Sequence, residues 1–102
     1  MTLETWIASR TPPVPSAFRP WVLPASPRRE VPTHEATVDA LVEEAHVALA
    51  RVLAREPQDR DGAFDLLAAD AFATWAAEAA LDVDDPETAL LALARTLSAA
   101  PR

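Results

Sequence analysis

The stretch Asp70-Ala-Phe-Ala-Thr-Trp-Ala-Ala-Glu-Ala-Ala-Leu81 decides the fold. Phe72, Trp75 and Ala79 recur at helical spacing, alanine is the strongest helix former, and neither Pro nor Gly breaks the run. Apolar residues lie on nearly every side, with Asp70 and Glu78 the only charges. A helix in a small bundle buries one wide stripe. This one offers more apolar surface than a stripe.

Upstream, the polar loop Gln58-Asp-Arg-Asp-Gly62 separates this helix from its predecessor, and Asp61 is expected to cap it. The strong face is Phe64, Ala68, Ala71, Phe72, Trp75 and Ala79; Leu66, Leu67 and Leu81 fall off it. The preceding helix is predicted from Thr33, its N-cap, to about Arg55, with Pro57 ending it. Val38, Leu41, Val42, Ala45, Leu49, Val52 and Leu53 form its main stripe. Ala36, Ala40, Val47, Ala50 and Ala54 form a second stripe opposite, with Asp39, Glu44, His46, Arg51 and Arg55 on the flanks. Downstream, Asp85 followed by Pro86 is the clearest helix start in the chain, and the last helix runs to about Ala99.

Towards the N-terminus, Leu3, Trp6 and Ile7 predict a short helix over about Thr2–Ser9, too short to hold alone in water. Thr11 to Pro32 contains seven Pro and reads as an extended arm, with a single helical turn allowed within Ser16–Leu23. Phe18, Trp21, Val22 and Leu23 lie in its middle, so it is expected to be pinned to the body or to another chain. No stretch alternates as a strand would. The sequence therefore predicts an all-α fold: a small antiparallel three-helix bundle over 33–102, with a short N-terminal helix and a Pro-rich extended arm, 1–32, packed on it.

Composition narrows the chemistry. The 102 residues suit one domain. Cys is absent, which removes disulfides, thiol catalysis and Cys-ligated zinc. No run of about 18 uncharged apolar residues exists, and residues 1–10 lack the basic and apolar regions of a secretory signal. A cytoplasmic protein with no membrane association is expected. The heavy use of Ala, Pro and Arg, with no Lys or Asn, suggests a GC-rich bacterial genome. Net charge is −7, unevenly placed: residues 1–32 carry four Arg against two Glu, and residues 33–102 carry five Arg against fourteen acids. Such an acidic body disfavours nucleic-acid backbones. One Gly rules out a phosphate-binding glycine loop.

Glu43-Glu-Ala-His46 matches the Glu-x-x-His pair of di-iron bundles, which makes Glu43 and His46 the metal-ligand candidates. Both lie well off the main stripe and no second copy of the motif exists, so no metal or other cofactor is expected. Asp59-Arg-Asp-Gly62 lacks the flanking acids of a calcium loop. Pro24-Ala-Ser-Pro27-Arg-Arg29 resembles a groove-binding proline peptide but is better explained as structural arm. No nucleophile–base pair is evident. Phe64, Phe72 and Trp75 would line a small-molecule site if the bundle held one; plain core is the commoner use of such residues. The expected function is non-catalytic: a protein-interaction or accessory module, acting as a homodimer or higher homo-oligomer, or as a subunit of a larger complex. Trp6, Phe18, Trp21 and Val22 are the candidate partner contacts, because large apolar groups on a Pro-stiffened segment lose little entropy on docking.

Overall fold

A computed structural model of the chain describes residues 1–26 and 28–99. It contains α1 (Leu3–Ala8), a 3-10 turn (Arg19–Val22), α2 (His34–Ala54), α3 (Asp61–Ala80) and α4 (Pro86–Ser98). The described residues are all-α, and their one β-type pairing is an isolated bridge between Thr2 and Glu30. No described helix is long and apolar enough to cross a membrane. The predicted all-α bundle, with its N-terminal helix and arm, is the observed architecture.

Local chemistry accounts for the helix ends. Thr33 Oγ1 accepts from the Ala36 amide at 3.0 Å, and Thr2 Oγ1 from Thr5 at 3.2 Å, each filling an otherwise orphan donor. Asp85 does the same for Thr88 and also accepts a hydrogen bond from its hydroxyl at 2.7 Å, with Pro86 preset for the first helical turn. The start of α3 differs from expectation. Asp61 is already helical, and the cap comes from Asp59, whose carboxylate accepts from the Asp61 amide at 2.9 Å. Arg60 itself has helical dihedrals, so the preceding turn feeds straight into the helix and the capping group must come from one residue further back.

The principal contact is the hairpin of α2 and α3. Its seam is rich in alanine: Ala40, Ala48, Ala68, Ala76 and Ala80 are fully enclosed. Small side chains let two helix backbones approach closely, so much of the alanine serves packing as well as helix propensity. Phe72, Leu3 and Leu41 are the largest wholly buried side chains. A salt-bridge clamp closes the hairpin's loop end. Asp65 on α3 is buried and meets Arg55 Nε at 2.5 Å and Arg51 Nε at 3.4 Å, from the C-cap and the last turn of α2.

The arm lies on its own body. Leu3 donates to the Arg29 carbonyl and Val31 to the Met1 carbonyl, each at 2.9 Å, so the two ends of the 1–31 segment are stitched together. Trp6, Ile7, Val22 and Val31 join the same core as α2, α3 and Leu93 of α4. The radius of gyration, 13.4 Å, matches the roughly 13 Å of a folded domain of this length, leaving no room for a projecting arm. The arm is further held by Glu44. Its buried carboxylate accepts the Ala25 amide, 3.2 Å from each oxygen. Of the second stripe of α2, Ala40 is buried while Val47 is exposed, and Leu53, expected on the main stripe, is exposed because it lies at the end of the helix.

Candidate interaction surfaces

The buried face of α3 runs through Asp65, Ala68, Phe72, Ala76 and Ala79, so helical geometry turns Ala63, Leu67, Asp70, Thr74 and Leu81 to the opposite side. Leu66, Leu67 and Leu81 are 53%, 55% and 61% exposed. Only Asp70 and Glu78 interrupt this face, and Glu78 is engaged by Arg10 at 3.7 Å. Leu91 on α4 and Leu53 at the end of α2 are similarly exposed. The surplus apolar surface of the opening stretch is thus divided: its inner side is core, and its outer side is left largely exposed, with Arg10 reaching it at Glu78.

The four arm residues expected to meet a partner separate into two pairs. Trp6 and Val22 lie inside the core, 8% and 2% exposed. Arg10 covers the Trp6 ring, its guanidinium carbon 3.5 Å from the ring centroid. Phe18 and Trp21 are half-buried, and Trp21 stacks on Phe64 of α3 with centroids 4.9 Å apart and planes 14° from parallel. That stack is one of the arm's contacts with α3. It also removes Phe64 from any cluster with Phe72 and Trp75. Those two meet edge to face within α3, at 5.9 Å and 76°. Phe72 is fully buried, so the three aromatics do not converge on one ligand.

Glu43 and His46 lie on the wall of a groove between α2 and α4. The Glu43 carboxylate is engaged by Arg29, whose pKa is raised by that hydrogen bond. His46 Nε2 lies 3.2 Å from the Thr96 carbonyl, which can only accept, so the ring nitrogen donates and links α2 to α4. Among the described residues, no three His, Asp or Glu side chains are grouped to hold a metal ion. The pair therefore sits together on one helix, each member held by a different neighbour.

The groove has a volume of about 720 Å³. Val38 and Val42 of α2 and Ala89, Ala92 and Leu93 of α4 form its floor. Glu35, Asp39 and Glu43 edge one side, and Asp84 and Asp85 the end where α4 begins. A smaller cavity of about 230 Å³ lies between α1 and the arm, among Ile7, Val14, Val22 and Pro24. The buried acids Glu44 and Asp65 were not singled out by sequence reasoning. A signal for Asp65 did exist: it falls on the Phe72 face of the wheel, one turn before Ala68 and Ala69, with two Arg four residues apart on the neighbouring helix. The chain matches no protein-family model, no curated protein and no solved structure.

Proposed function

We propose that the protein is a non-catalytic helical interaction module that works as a homo-oligomer or as a subunit of a larger complex. One observation carries this reading: the outer side of α3, with Leu66, Leu67 and Leu81 more than half exposed and only two acids among them. Large apolar side chains left in solvent on one helix face favour association. A symmetric dimer would pack this face against its own copy about a two-fold axis. Trp21 and Phe18 at the arm's edge would extend the contact, while Trp6 and Val22 would support it from within. The cytoplasmic setting and non-catalytic role belong to this proposal and rest on the sequence reading.

The experiment is mass in solution by light scattering across a concentration series. It compares the parent chain, 11.0 kDa, with a Leu66→Arg, Leu67→Arg variant. Both sites are more than half exposed, so the variant is expected to keep its fold. The expected result is a parent heavier than one chain and a variant of single-chain mass. A parent at single-chain mass throughout, with the variant unchanged in solubility and hydrophobic-dye binding, overturns the reading.

A further inference from the structure

We infer that the groove between α2 and α4 docks a basic amphipathic helix of another protein. This rests on the reading of the chain as an interaction module but uses a different surface from the outer face of α3. The walls are matched. Glu35 to His46 of α2 and Asp85 to Thr96 of α4 each supply about three helical turns, roughly 16 Å. The two helices are tied where His46 Nε2 donates to the Thr96 carbonyl, and the groove runs from there past Val38 and Ala89 to Asp84 and Asp85. Ala89 and Ala92 put no bulk between them, and of the residues in α4 only Leu93 is buried. A three-helix body with one loosely seated helix leaves the place where a fourth would complete a bundle. An occupant helix would set apolar residues at i, i+3, i+4 and i+7 onto Val38, Val42 and Leu93.

Charge selects the occupant. The rim holds five carboxylates, at Glu35, Asp39, Glu43, Asp84 and Asp85, against one guanidinium, Arg29. Arg29 is already spent on Glu43, and the His46 ring on a carbonyl. Asp39 and Asp84 make no hydrogen bond or ion pair among the described residues, so the potential over the groove is negative and Lys or Arg beside the apolar ridge would be attracted. A second copy of this chain fits poorly. It would bring a net −7, and Arg10 and Arg29 of its basic segment are held in ion pairs of their own.

The test uses the full chain and three short synthetic helix peptides. One has a Leu ridge flanked by Lys, one the same composition scrambled, and one Glu in place of Lys. Calorimetry reads affinity and amide NMR shifts locate the site. The Lys-flanked ridge peptide should bind one per chain, weaken with salt, and shift amides in 35–46 and 83–96. Ala92→Trp, which fills the exposed floor, and Asp39→Lys with Asp84→Lys, which reverses the rim, should each weaken it by about tenfold or more. Thermal unfolding should stay near the parent's. The inference is overturned if the scrambled or Glu peptide binds equally well, if the shifts map to the outer face of α3, or if no peptide binds. It is also overturned if a dimer protects the groove amides. Failure here with a multimeric parent would leave the interaction reading standing. Peptide binding by a chain that is monomeric, with Leu66→Arg, Leu67→Arg silent, would keep the groove and remove the outer face of α3 as the site of association.

Discussion

The Asp65 side chain on α3, 3% exposed, accepts a hydrogen bond at 2.5 Å from Nε of Arg55, the residue that follows α2. Arg51, one turn earlier, approaches its other oxygen. A carboxylate this enclosed needs both its charge partners and its hydrogen bonds, or burial would penalise the fold. The two arginines keep part of their own surface in solvent, 43% for Arg51 and 28% for Arg55. Gly62 packs near this clamp, with the Arg55 Cδ 3.8 Å from where a β-carbon would stand. Asp65→Ala should lower stability by about 1.5–3 kcal/mol, the range for a hydrogen bond to a charged group. Denaturant unfolding measures it. A loss near zero would make the pair no stronger than a surface ion pair.

Glu44 should control the arm more than the bundle. Its carboxylate meets the Ala25 amide and no other hydrogen-bonding group among the described residues. In Glu44→Ala, hydrogen exchange at Ala25 should rise by roughly tenfold or more, as expected for loss of a charge-assisted bond. Glu44→Gln keeps an acceptor and should show a smaller rise. Unchanged exchange in the Ala variant would mean the arm is held by Val22 and Val31 alone.

Deleting residues 1–32 should unfold the remainder. Leu3, Trp6, Ile7, Val22 and Val31 would leave the core together. At about 1.5–3 kcal/mol for each buried side chain, their loss rivals the roughly 5–15 kcal/mol that separates folded from unfolded domains. Circular dichroism of the 33–102 fragment should show reduced helix and no cooperative melt. A fragment melting like the full chain would show the segment is ornamental.

Acid should destabilise the fold through its caps. Asp59 is held below the usual carboxylate range by the Asp61 amide and then by Arg55. Asp85 is held below it by the Thr88 hydroxyl and then the Thr88 amide. A depressed folded-state pKa gives stability that is present above the unfolded value and lost as pH falls through the folded one. Unfolding free energy should therefore be level through neutral pH and decline below about pH 4. Asp85→Asn retains a cap without the proton linkage and should show a shallower acid decline. An identical acid slope would exclude Asp85 as a contributor.

What the sequence determined on its own was everything carried by near neighbours. Helix periodicity, the caps at Thr33 and Asp85, the stops near Pro57 and after Leu81, and the all-α class depend on residues within about one turn of each other. The pinning of the arm was also legible, because Trp21 and Val22 in a proline-rich segment must be covered by something. Tertiary structure alone decided what covers them. Trp6 and Val22 went into this chain's own core, Trp21 onto Phe64, and the outer leucines of α3 were left more than half exposed. It also turned Glu44 and Asp65 inward and opened the α2–α4 groove. The reason is physical: local rules set which way a side chain leaves its helix, whereas burial, ion pairing and cavities depend on which distant segment arrives there, and that is settled only by the sum of packing over the whole molecule.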